Sequence, residues 1–123
     1  MIKVKIKHRD NSIVAITIND HALMNREAIL VGEAYDMICN SVSVLSQSMI
    51  IGLDEVLKLN VNYEIGDGHL ELDLKGFTEL EIEQAQVLLK TFEKSLESVV
   101  LSLDQMFGNK KRNEYISIIN EEV

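Results

Sequence analysis

Val61-Asn62-Tyr63-Glu64-Ile65-Gly66-Asp67-Gly68-His69-Leu70-Glu71-Leu72-Asp73-Leu74 alternates apolar and polar residues on both sides of a Gly-Asp-Gly turn. Val61, Tyr63 and Ile65 share one face before the turn, and Leu70, Leu72 and Leu74 share one face after it. A period of two, broken by residues that accept positive φ, is the pattern of a β-hairpin. Gly76 ends the second strand, and Thr78 with Glu81 three residues later makes a capping box. Ile82, Ala85, Leu89, Phe92, Leu96, Val99, Leu103 and Met106 then recur at alternating three and four residues. That spacing predicts a long helix with one apolar face, stopped by Gly108.

The first half of the chain reads the same way. Ile2, Val4 and Ile6 alternate with Lys3, Lys5 and Lys7, a turn spans Asp10-Asn11-Ser12, and Val14, Ile16 and Ile18 alternate again. The stretch from Asp20 to Tyr35 is mixed and reads as a loop with a short helical turn near Arg26 to Val31. Ile38, Val42, Leu45, Met49, Leu53 and Val56 then predict a helix from about Asp36 to Lys58, with Asp36 as its N-cap. Lys110-Lys111-Arg112 reads as a solvated run, and Tyr115 to Ile119 as a possible last strand. The order ββαββα predicts an α+β fold of two layers. Four antiparallel strands, with a possible fifth at the edge, carry two helices on one face.

The 123 residues are enough for a single domain, 1–123, and 46% of them are hydrophobic. A net charge of -8 excludes a nucleic-acid binder, which needs a basic face, and suits a basic partner. The sequence shows no apolar run of the ~20 residues that span a bilayer. The alternation in Met1 to Lys7 is not that of a signal peptide, so a cytoplasmic location is expected. One cysteine rules out an internal disulfide and the multi-cysteine zinc motifs, and no metal or other cofactor is expected.

With Asp36 as cap, that cysteine, Cys39, falls in the first turn of its helix. There unpaired N–H groups and the helix dipole favour a thiolate. The Asp36 carboxylate opposes this, and a neighbouring imidazolium would offset it. His21, at the end of the second strand, is available for that role. A Cys–His pair is the minimum machinery for acyl transfer. Plainer readings stand beside these: Cys39 as a packed thiol, His21 as an exposed strand end, Asp36 as a cap only, and Ser43 bonded to its own helix. His8 and His69 read as solvent-exposed hairpin residues.

Asn19-Asp20-His21-Ala22, followed by Tyr35-Asp36-Met37-Ile38-Cys39-Asn40-Ser41-Val42-Ser43, resembles the signature of the ribosomal-processing cysteine protease family, Prp. That signature is a Gly-His-Ala triplet, a glycine-containing loop, an Asp, two aliphatics, the Cys, and a Ser four positions on. The resemblance implies that His21 and Cys39 are the catalytic dyad and that Asp36 and Ser43 support them. It makes Gly32 the hinge of the loop that admits substrate. It further implies a homodimer that removes the N-terminal extension of a large-subunit ribosomal protein after a hydrophobic or aromatic residue. Asp20 replaces the family's Gly, and the stretch between His21 and Cys39 is longer by roughly half a dozen residues. Loop entropy grows only by about 0.6 kcal/mol per doubling, so that extra length bears on specificity more than on fold. Leu88, Val100, Leu101 and Phe107 lie off the long helix's stripe, which also favours a second subunit. A non-catalytic dimeric module that binds a peptide or a ribosomal protein is the alternative.

Overall fold

β1 (Ile2–Arg9) and β2 (Ser12–Asp20) form the first hairpin. The two residues joining them, Asp10 and Asn11, both have positive φ, at 54° and 78°. That is a type I′ turn, whose twist matches the strands and which Asp and Asn tolerate. The computed structural model describes the backbone of residues 1–20, 32–66 and 68–123, and the side chains of 1–19, 37–66 and 68–123.

β2 departs from its expected face at one position. Lys7 pairs with Ala15 and His8 with Ile13, so the ladder skips Val14. The buried side chains are therefore Ile13, Ile16 and Ile18, and Val14 is not among them. Such a bulge leaves backbone groups without ladder partners. Gln86, only 9% exposed, supplies them. The Ile13 N–H donates to Gln86 Oε1 at 2.7 Å, and Gln86 Nε2 donates to the carbonyls of Ile13 at 2.9 Å and Ile82 at 3.0 Å.

The second hairpin, β3 (Asn62–Gly66) and β4 (His69–Asp73), pairs through β4 with β2. Among the described residues the sheet has five strands in the order β3-β4-β2-β1-β5, and β5 (Ile116–Glu122) runs parallel to β1. The expectation of an all-antiparallel sheet is corrected here to a mixed one. A parallel neighbour needs a long crossover. The long helix α2 (Glu79–Phe107) and the short α3 (Asn109–Tyr115) make it, returning the chain to place Ile116 beside Ile2. The run expected to be solvated thus forms a helix, in which Arg112 Nε donates to Asp104 at 2.7 Å and Nη1 to the Ile116 carbonyl at 3.3 Å. Gly108, at φ 86°, makes the break between the two helices, a conformation that favours glycine.

Helix α2 buries Ala85, Leu89, Phe92, Leu96 and Leu103, while Met106 is 71% exposed. Its capping box is complete. The Glu81 N–H donates to Thr78 Oγ1 at 3.2 Å, and the Thr78 N–H donates to Glu81 Oε1 at 2.9 Å. Thr78→Ala is expected to cost about 1 kcal/mol in urea unfolding with an unchanged m-value.

Helix α1 (Gly32–Ile51) starts four residues before the expected cap at Asp36. It lays Ile38, Val42, Met49 and Ile50 against the sheet. A π-helical turn (Gly52–Val56) follows, with the Leu57 N–H donating to the Gly52 carbonyl at 2.9 Å. The wider turn shifts the phase of the stripe, so Leu53 is buried and Val56 is 72% exposed. At Gly52 an added Cβ would lie 2.7 Å from Leu88 Cδ1, and glycine lets that side chain close on the backbone. Met37–Val56 has a mean hydropathy of 1.2 over 20 residues, long and apolar enough by composition to cross a membrane, contrary to the expectation that no run qualifies. One side of this stretch packs on the sheet.

Both described histidines are half-buried rather than exposed. β5 closes over His8, whose Nε2 is 2.9 Å from Asn120 Oδ1 and 3.4 Å from Glu93 Oε2. His69 Nδ1 donates to Asn19 Oδ1 at 2.6 Å, directly across the β2–β4 pair.

Candidate active site

Cys39, Ser43 and Ser46 lie three or four residues apart on α1, a spacing that puts them on one side of the helix. Ile38 and Val42, one position away from Cys39 and Ser43, turn to the core. The helix therefore has a buried apolar stripe and, beside it, a polar stripe that faces a cleft. The cleft has a volume of about 470 Å³ and lies between that stripe and one end of the sheet.

Three elements wall it. Cys39, Asn40, Ser43, Ser46 and Gln47 come from α1; Ile2, Ile18 and Leu70 form an apolar floor; and Ile65, Gly66, Gly68 and His69 belong to the second hairpin. Cys39 is half-buried in this wall. Ser43 Oγ accepts from Gln47 Nε2 at 3.2 Å, and the Ser46 hydroxyl donates to the Val42 carbonyl at 2.6 Å. Ser46 is thus tied to the backbone of its own helix, the role considered for Ser43, whereas Ser43 accepts from the side chain of Gln47 one turn on in the same helix. A polar roof over an apolar floor, open on one side, suits an extended peptide with apolar side chains.

Two expectations about Cys39 are corrected. Because α1 starts at Gly32, Cys39 stands about two turns into the helix and not in its first turn. Asp36 lies within the helix and is not its N-cap. The unpaired N–H groups of a helix start are at its first four residues, so the backbone of Asn40 and its neighbours is committed to helical bonds. Neither thiolate stabilisation by a helix terminus nor an oxyanion site there is available at Cys39.

His21 lies outside the described residues, as does the side chain of Asp36. The strand that leads to His21 is described. β2 ends at Asp20, which pairs with Ile2, and both Ile2 and Ile18 floor the cleft. β2 thus ends at the end of the sheet where Cys39 lies. Gly32 is the first residue of α1, at the junction between that helix and the segment following β2.

Sequence reasoning missed the contribution of the second hairpin. Ile65, Gly66 and Gly68 border the cleft because β4 pairs with β2, a partner choice between distant segments. Ser46 and Gln47 were open to detection, since seven and eight residues beyond Cys39 fall on the same helical side. Among the described residues, no group of three His, Cys, Asp or Glu side chains is placed to hold a metal ion.

The sequence profile of a peptidase family, cysteine protease Prp, matches residues 1–107. SMU.848 from Streptococcus mutans has a similar fold: TM-score 0.73, 19% identity, covering 100% of this chain and 96% of that one. The S. aureus ribosomal processing protease Prp in complex with a substrate peptide gives a TM-score of 0.67 at 17% identity, with 98% of this chain and 100% of that one covered. The same protease with a covalently linked product peptide gives 0.63 at 18% identity and the same coverage. Among curated proteins none matches in sequence.

A cleft walled by a half-buried cysteine, on a chain that a peptidase profile covers, defines the class: this is a cysteine protease, a hydrolase. The chain belongs to the cysteine protease Prp family.

Proposed function

We propose that this protein is a cytoplasmic endopeptidase that removes the N-terminal extension of a large-subunit ribosomal protein, with Cys39 as nucleophile and His21 as general base. The observation that carries the reading is the position of Cys39 in the wall of a cleft at the sheet end where β2 stops at Asp20. Support for the substrate comes from the S. aureus relative, a ribosomal processing protease held with substrate and product peptides. The net charge of -8 favours encounter with a basic protein.

In this mechanism His21 takes the Cys39 proton, and the thiolate attacks the scissile carbonyl. The tetrahedral intermediate collapses as the imidazolium protonates the leaving amine. Water, deprotonated by the same imidazole, then hydrolyses the thioester. Ser43, one turn beyond Cys39 and fixed by Gln47, orients substrate in the cleft. Asp36 acts as a supporting residue near the dyad, and Gly32, where α1 begins, is the hinge for substrate entry.

Homodimerisation is part of this reading. Met37 and Met106, each 71% exposed, border an apolar hollow of about 430 Å³ between α1 and α2 that also includes Val99 and Phe107. A second subunit would remove that surface from water.

The test is incubation with the full-length ribosomal-protein precursor and mass measurement of the products. The expected result is one cut that releases the extension after a hydrophobic or aromatic residue. An intact precursor bound by the protein would favour the non-catalytic module instead.

A further inference from the structure

β3 is an edge strand whose five residues are all exposed, and its last residues, Ile65 and Gly66, border the Cys39 cleft. Natural sheets blunt such edges, because alternate N–H and C=O groups point outward and will pair with any extended chain. Here the edge is left apolar on one face. Tyr63 and Ile65 lie opposite Leu72 and Leu70, so they stand on the cleft side of the sheet, yet they remain 44% and 58% exposed.

The other face of the same edge is acidic. Glu64 lies directly opposite Glu71, beside Asp73, and the three border one shallow hollow with Asn62. Like charges directly across a strand pair destabilise it, and among the described residues His69 Nε2 lies 3.6 Å from Glu71 Oε2. A basic side chain from a neighbouring strand would relieve that repulsion.

We infer that the substrate binds as a sixth strand along the edge of β3 that no described strand pairs with, running into the Cys39 cleft. This rests on the protease reading above. Main-chain bonds to β3 supply the affinity, and the two faces of the edge supply the specificity. Every second substrate residue is apolar and packs on Tyr63 and Ile65. The residues between are Lys or Arg and meet Glu64 and Glu71. The preferred substrate is therefore an extended segment of alternating apolar and basic residues on one side of the scissile bond.

The test uses a quenched fluorescent peptide built on the ribosomal-protein extension, N-methylated at one residue at a time. On one side of the scissile bond, kcat/KM is expected to fall about tenfold at every second residue and to change little between them. Glu64→Lys, at an exposed edge position, is expected to lower kcat/KM about fivefold for a peptide with lysine at the intervening positions. A peptide with glutamate there should recover the loss. Cleavage that is indifferent to N-methylation, or sensitive without a period of two, overturns the added strand, as does indifference to the charge swap. A dimer that dissociates on Ile65→Lys gives the edge to a second copy and also overturns it. If the unmodified peptide is not cut at all, the protease reading itself fails, and the two failures are distinguishable.

Discussion

Cys39→Ala is expected to abolish precursor cleavage while the protein stays folded. Removing a nucleophile forfeits the covalent route, and the rate should fall by a factor on the order of 10⁴ or more. Its structural cost is small, because Cys39 is only half-buried, at the edge of the core and in the wall of the cleft. Losing one small, partly buried group costs about 1 kcal/mol or less. Circular dichroism and the urea midpoint should therefore be almost unchanged, while mass spectrometry shows only intact precursor. A matching Ser43→Ala variant should retain cleavage with a raised KM, because Ser43 borders the cleft without being the reacting atom.

Gln86→Leu is expected to do the opposite: to destabilise the protein without touching the chemistry. Its carboxamide satisfies both backbone groups of Ile13 at the β2 bulge, and the site is buried. Leucine has similar bulk and no polar atoms, so the Ile13 N–H and C=O would remain buried without partners. Each such group costs roughly 1–3 kcal/mol, so a loss of about 2–6 kcal/mol is expected for the two. For a domain of this size that lowers the melting temperature by about 10 °C or more, measurable by calorimetry. Cleavage well below the transition should be near normal, since Gln86 lies outside the cleft wall.

The two variants separate what local sequence encodes from what it does not. The second hairpin and the Thr78–Glu81 capping box were legible because each is decided within a few residues. The bulge at Val14 was not, because the residue that stabilises it, Gln86, lies on a helix far along the chain. The parallel placement of β5 depends on α3, whose Lys-Lys-Arg run looks solvated until Arg112 meets Asp104 and the Ile116 carbonyl. The phase of the first helix slipped at a π-turn that leaves no mark in an apolar period, which is why Val56 points outward.

The site divides in the same way. A motif singles out Cys39 and Ser43, and their spacing puts both on the side of α1 that lines the cleft. An early position in the helix does not activate Cys39, because α1 starts at Gly32. The hairpin wall of the cleft could not be read at all, since nothing local says that β4 pairs with β2. In the proposed dyad, His21 alone would activate Cys39.

The rate of Cys39 alkylation by iodoacetamide against pH, in the wild type and in His21→Ala, tests this most directly. An unperturbed thiol reacts as it ionises near pH 8.5. The wild type should react rapidly well below pH 8, and His21→Ala should return to the ordinary thiol profile. A wild-type profile already like that of an ordinary thiol, and unmoved by His21→Ala, would contradict the Cys39–His21 dyad.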